Sequence, residues 1–171
     1  MPQLPNKYVP LEHEARVRAK WTESGAFHAD PAKVLSGDKK PYAVFIPPPN
    51  VTDRLHLGHA LNNTLQDVLV RAHRMMGYEA LWMPGTDHAG IATQTVVEKR
   101  VKKGEGLSRA DYAKRGEQGR AEFVAKIQAF KDEYEAIITE QLKAKGCSCD
   151  WDRQRFTMDE ACAKAVREAF F

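Results

Sequence analysis

Pro47-Pro-Pro-Asn-Val-Thr-Asp-Arg-Leu-His-Leu-Gly-His59 is the stretch on which the fold turns. The apolar run Tyr42-Ala-Val-Phe-Ile46 leads into it, and Leu57, Leu61, Leu65, Val68, Leu69, Ala72 and Met76 then fall on one face of a helix. The pattern is strand, tight loop, helix. Both parities of the strand are apolar, which predicts burial on both faces, as in a parallel sheet. The three prolines stop the strand because they have no N–H to give a ladder. Asn50, Thr52 or Asp53 can cap the helix.

A helix start of this kind collects anions, because its first N–H groups are free and its dipole is positive there. His56 and His59 are three apart and share one face of the first turn, so each can offer an N–H to a phosphate oxygen. The dipole disfavours an imidazolium, and neutral rings are expected. Gly58 has no side chain and lets a nucleotide lie against the backbone. The blander reading is an ordinary helix start with two surface histidines. The strand, the prolines and the amphipathic helix around the pair argue against it.

Gly77 closes the helix, and Tyr78-Glu-Ala-Leu-Trp-Met83 reads as a second strand ended by Pro84-Gly85. Strand, helix and strand at this spacing make a right-handed crossover, the unit of a Rossmann-like sheet. Ligands of such sheets sit at the carboxyl ends of the strands. The loops 47–56 and 84–91 both follow such ends, which places them side by side across one crevice. Thr86-Asp87-His88 then opens a helix from Ile91 to about Lys103. Asp87 has two readings: a helix cap, or a carboxylate for a ligand's ammonium group. His88 reads as a local structural histidine.

The rest of the chain is read for organisation. Residues 1–9, with Pro2 and Pro5, form a loose lead-in, followed by a helix from Leu11 to about Trp21 that stops near Gly25. Trp21 and Phe27 anchor it. Residues 31–40 read as a linker. The basic run Lys99, Arg100, Lys102, Lys103 is a solvated helix face, with contact to a nucleic acid as the alternative. Ser108 starts another helical stretch. From Glu117 to Lys145 a long helix carries Phe123, Ile127, Phe130, Tyr134, Ile137, Ile138 and Leu142 at spacings of three and four, a packing stripe. Residues 150–155 read as a polar connection, and Thr157 with Glu160 as a capping box for a last helix bearing Cys162, Val166 and Phe170. That apolar face, ending at Phe171, needs a partner, and two parallel strands seldom make a stable sheet, so a piece of something larger is expected.

Composition bounds the rest. The chain has 171 residues, 43% of them hydrophobic and 29% charged, an ordinary balance for one globular domain. Its formal net charge of +3 is too mild to specify a nucleic-acid partner. No apolar run approaches a membrane span and no signal-peptide core is present, so a cytoplasmic protein without a membrane partner is expected. Three cysteines, two of them as Cys147-x-Cys149, lack a zinc spacing. They read as reduced, partly buried thiols, and no structural metal is expected.

The signature Pro47-Pro-Pro-Asn-Val-Thr…Leu-His-Leu-Gly-His59 resembles the HIGH motif of class I aminoacyl-tRNA synthetases. The block Trp82-Met-Pro-Gly-Thr-Asp-His-Ala-Gly-Ile-Ala-Thr-Gln94 resembles the valine-specific branch in particular, and the likeness runs from about Tyr8 to the last residue. It implies a partial Rossmann-like α/β fold of parallel strands with crossover helices, followed by a long helical segment. The divisions expected are a helical lead-in over 1–40, the first half of the catalytic domain over 41–107, and a helical segment over 108–171 leading toward an editing insertion. It implies activation of valine with ATP, carried with Mg2+, and transfer to tRNA(Val), in a chain that is a monomer when complete. By resemblance His56 and His59 are catalytic. Thr52, His56, Gly58 and His59 line the ATP site, and Pro48, Asn50 and Asp87 hold valine. Asp53 stands where many members carry glycine, and no lysine-rich KMSKS loop, editing part or anticodon-binding part occurs in the chain. Two other readings stay open: a stand-alone nucleotidyltransferase of the same His-x-Gly-His superfamily, and a non-catalytic truncated remnant serving as an interaction module.

Overall fold

The computed structural model describes residues 7–171. Most of the lead-in expected over 1–9 lies outside them. Helix α1 (Pro10–Ser24) begins with proline at its first position and ends at Gly25, whose φ of 58° suits a residue without Cβ. The segment read as a linker holds a short helix, α2 (Pro31–Leu35), because the Asp30 side chain accepts from Ala32 N and supplies a cap. Strand β1 (Pro41–Phe45), helix α3 (Leu57–Met75) and strand β2 (Glu79–Met83) follow as the crossover, with β1 and β2 parallel from Pro41↔Glu79 to Phe45↔Met83.

Beyond Pro84 the second strand resumes as β3 (Gly85–Thr86), which pairs in parallel with β4 (Arg155–Phe156). The segment 150–157 therefore runs beside the central strand on the side away from β1: Asp150 N donates to Trp82 O at 2.9 Å and Thr157 N to Thr86 O at 3.1 Å. A two-residue strand has too few positions to show a period of two, so the sequence presents it as a polar connection. Helices α4 (Ile91–Glu105), α5 (Arg109–Ala113) and α6 (Gly116–Ala144) lie between, and α7 (Glu160–Phe170) ends the chain.

Two apolar clusters hold these elements. Ile46, Val51, Val70, Ala80, Trp82, Ile138, Leu142, Cys147 and Cys149 form the one under the sheet; Val97, Val101, Tyr112, Phe123 and Phe130 form the other. The stripe read on α6 serves both, one end in each, with Tyr134 touching both. Cys147 and Cys149 are buried, and burial pushes the Cys147 thiol up to about 11. Such thiols stay protonated and unreactive at neutral pH. Trp21 and Phe27 anchor α1 as expected, their rings 5.3 Å apart, with the Arg71 guanidinium 5.1 Å from the Trp21 centroid.

Two expectations are corrected. Strand β1 is not buried on both faces: Tyr42 and Val44 are half-buried, while Phe45 is 67% exposed. Helix α3 and the carboxyl end of α6 pack on the side carrying Ile46, Ala80 and Trp82, and no element among the described residues seals the Phe45 side. The apolar stripe of α3 is likewise open, with Leu57 88% and Leu61 64% exposed. The face that α3 buries is mixed: Val70 enters the core cluster, and polar side chains flank it. Gln66 accepts from Trp82 Nε1 at 2.9 Å, Asp67 accepts from Ser148 N at 3.1 Å, and Arg74 donates to Ser148 Oγ at 2.6 Å.

Candidate active site

The loop that follows β1 and the loop that follows β3 are laced together by backbone. Asp87 N donates to Pro49 O at 2.8 Å and Val51 N to Asp87 O at 3.0 Å, a parallel bridge between Asn50 and Asp87. The two loops expected to lie side by side do so. Val51 is fully buried, so it pins the first loop while Pro48 and Asn50 on either side stay exposed and Thr52 is half-buried. A Cβ on Gly85 would meet Arg155 O at 3.0 Å and Pro48 Cβ at 4.0 Å, so glycine there lets the three segments close up.

The start of α3 is not capped by Asn50, Thr52 or Asp53. The helix begins at Leu57, four residues past Asp53, and among the described residues the Asp53 side chain bonds only Arg54 N, at 2.7 Å. His56 is the N-cap: its Nδ1 accepts from Gly58 N at 3.1 Å, and His59 Nδ1 accepts from His56 N at 3.2 Å. The two imidazoles thus form a reciprocal capping box, a role in which Ser or Thr with Glu is the usual pair. A consequence for chemistry follows. With Nδ1 accepting on both rings, the proton of each neutral imidazole sits on Nε2, the atom away from the helix. The rings lie 4.0 Å apart between centroids, His56 exposed and His59 half-buried. Partial burial, and then a charge on His56, lower the His59 pKa below its ordinary value of 6.5. Two neutral N–H donors at a positive helix end suit an oxyanion.

Gly58 has a second reason to be glycine. A Cβ there would stand 2.9 Å from His56 Cε1 and collide with the capping ring. Gln141 on α6 steadies the same loop through Leu55 N at 2.9 Å, and the Lys145 ammonium bonds Ala60 O. Leu55, His56, Leu57, Ala60, Asn63, Gln141 and Lys145 line a hollow of about 510 Å³ beside the histidine pair. Nothing in the sequence marks Gln141, which lies 86 residues from its partner.

Asp87 does not cap α4. That helix starts after Gly90, preceded by Ala89 in the left-handed region at φ 51°. The half-buried Asp87 carboxylate instead accepts from Thr157 Oγ1 at 2.8 Å. Thr157 is therefore not the capping residue of α7. Asp159 takes that place, accepting from Cys162 N at 2.8 Å, because α7 starts later than the capping-box pattern indicates. His88 packs edge-on against Phe156 at 6.3 Å and also meets the Thr157 hydroxyl.

A second hollow, of about 450 Å³, lies between α1, the end of α6 and residues 146–152, and none of the signature residues lines it. His28, Asp150 and Asp152 come together there. Asp150 is occupied as a latch: its carboxylate accepts from Ala29 N at 3.0 Å and pairs with Arg153.

This chain belongs to the family described as tRNA synthetases class I (I, L, M and V), which matches residues 16–171. Within it, the valine–tRNA ligase of Rhodopirellula baltica is 52% identical over 171 residues, 100% of this chain and 16% of that protein. The valine–tRNA ligase of Syntrophotalea carbinolica is 53% identical over 169 residues, 99% of this chain and 18% of that protein. The chain thus spans less than a fifth of the length of these relatives. In three dimensions it is similar to the LeuRS of an Agrobacterium radiobacter LeuRS–tRNA–LeuAMS ternary complex, with a TM-score of 0.73 and 20% identity over 96% of this chain and 18% of that one. At that identity the likeness is one of fold, and it is the Rossmann-like synthetase fold.

Proposed function

We propose that this chain carries the N-terminal part of the catalytic domain of a valine–tRNA ligase, with the divisions 1–40, 41–107 and 108–171 as its lead-in, half-domain and helical extension. The carrying observation is the lacing of the two loops at Asn50 and Asp87, which brings a paired-histidine anion site and a carboxylate to one edge of the sheet. ATP, entering with its Mg2+ as substrate, lays its phosphates at the start of α3. The Nε2–H groups of His56 and His59 donate to phosphate oxygens as negative charge develops on them. Thr52 and the bare backbone at Gly58 line the nucleotide. Pro48 touches the valine side chain, Asn50 offers a polar contact, and Asp87 holds the ammonium. Held in this way, the valine carboxylate attacks the α-phosphate, pyrophosphate leaves, and the valyl group passes to the 3′ end of tRNA(Val). Positioning and charge stabilisation do the work, with no covalent enzyme intermediate.

The remainder of the synthetase chain is the partner of the open α3 face, and the whole acts as a cytoplasmic monomer. No helix among the described residues is long and apolar enough to cross a membrane. The direct test is ATP–pyrophosphate exchange by the full-length protein with each of valine, isoleucine and leucine. Exchange is expected to be most efficient with valine. Preference for leucine or isoleucine would refute the substrate assignment.

A further inference from the structure

We propose that Thr157 is a positioning residue for the Asp87 carboxylate, fixing which oxygen is presented to the substrate's ammonium group. This rests on the reading of Asp87 as the ammonium-binding group. The Thr157 hydroxyl meets three partners: Asp87 Oδ1 at 2.8 Å, His88 N at 2.9 Å and His88 Nδ1 at 2.7 Å.

The single hydroxyl proton decides the pattern. A carboxylate only accepts, so the proton goes to Asp87 Oδ1. The backbone N–H of His88 donates to one lone pair of the hydroxyl. His88 Nδ1, to bond the other, must carry the ring proton, which leaves Nε2 of the neutral ring as an acceptor. The hydroxyl is then saturated and its torsion fixed. Asp87 Oδ1 is engaged, and Oδ2 accepts no hydrogen bond among the described residues. The carboxylate is partly open to solvent, at 33%.

The backbone sets Thr157 there firmly. Thr157 N bonds Thr86 O at 3.1 Å and Arg155 N bonds Pro84 O at 3.1 Å, so the β3–β4 ladder delivers residue 157 beside residue 87. Asp159 N then bonds Phe156 O at 2.8 Å and turns the chain into α7. A carboxylate on a loop can rotate about two side-chain torsions. Holding one oxygen removes that freedom before substrate arrives, which is what a site for a small ammonium ion needs.

The test is steady-state ATP–pyrophosphate exchange by the full-length protein carrying Thr157→Val, Thr157→Ser or Asp87→Asn. Thr157→Val keeps the shape and removes the hydroxyl. It is expected to raise KM for valine by about 10-fold, the effect of losing one hydrogen bond to a charged group, with kcat and KM for ATP within twofold. Thr157→Ser keeps the hydroxyl and is expected to return KM for valine to within threefold. Two outcomes overturn the proposal: Thr157→Val leaving KM for valine within twofold while Asp87→Asn raises it, or Thr157→Val lowering only the active fraction. An Asp87→Asn variant with normal valine kinetics would sink the reading of Asp87 itself, a failure distinct from that of Thr157. If Thr157→Val does not fold, Thr157→Ala removes the same hydroxyl without added bulk and is judged by the same criteria.

Discussion

His56 does two things with two ring nitrogens, and single substitutions can separate them. Nδ1 caps α3 and Nε2 faces outward. His56→Ala removes both and is expected to cost about 1 kcal/mol of stability as a lost cap. In the full-length protein it should lower adenylate formation roughly 10–1000-fold, the range for losing a donor to developing charge. His56→Asn keeps a capping oxygen and removes the outward donor. It should hold its stability in urea while losing activity like the alanine variant. A stability loss confined to the alanine variant, with the activity of both variants within twofold of the parent, would leave His56 a cap and nothing more. His59 adds a pH signature. Its folded pKa is lowered, so the unfolded chain takes up that proton first as pH falls. Its contribution to stability is present above 6.5, the ordinary value, and is lost as pH drops below it. A His59→Gln variant should show a shallower fall in urea midpoint below that pH than the parent, and an unchanged slope would count against the assignment. The spacing of the two histidines is plain in the sequence. Their capping role is not, because Asn50, Thr52 and Asp53 are better caps by residue type and only the chain path rules them out. Asp87 and Thr157 are 70 residues apart, and no local pattern could join them.

The crossover of β1, α3 and β2 was legible at the level of elements because an apolar run, three prolines, a helical stripe and a second apolar run follow in order. Which faces are covered was not legible. An apolar stripe states that something must cover it, yet the side of α3 that is covered carries Val70 in the core, Gln66 against Trp82, and Asp67 and Arg74 against Ser148. Helix α6 behaves as its stripe indicates, and its join to α5 gives a sharp prediction. A Cβ on Gly119 would stand 2.0 Å from Tyr112 O, an approach only glycine permits. Gly119→Ala should therefore force α5 away from α6, at a cost of about 1–3 kcal/mol for overpacking. Urea unfolding measures it. Gly104→Ala, in the same chain but with open space at its Cβ, is the control and should be neutral or slightly stabilising. A Gly119→Ala midpoint equal to that control would mean the two helices are not packed this closely.

At the scale of the whole molecule, the unresolved tension is between a complete polar network and an open apolar face. Phe45, Leu57, Leu61, Leu65, Val68, Leu69, Met75 and Met76 are all exposed, spread over β1 and one side of α3. The run along α3, from Leu57 to Met76, by itself leaves more apolar side chain in water than monomeric soluble proteins usually do, and Phe45 adds to it on the opposite face of the sheet. The hydrogen bonds that seat α3 lie on its opposite side, so the open residues contribute little to holding the helix in place. Two consequences separate cleanly. The 171-residue chain by itself should bind an apolar dye such as ANS and sediment as species that grow with concentration. Leu61→Glu, Leu65→Glu and Val68→Glu together should abolish both effects, with the free energy of urea unfolding changed by less than about 0.5 kcal/mol, as for surface positions. In the full-length protein the same three changes should be severe, since each carboxylate would then be buried without a partner. A triple variant that unfolds the short chain would show that the stripe is core after all. A full-length protein indifferent to it would show that the face stays in water, and the synthetase remainder would have to pack elsewhere.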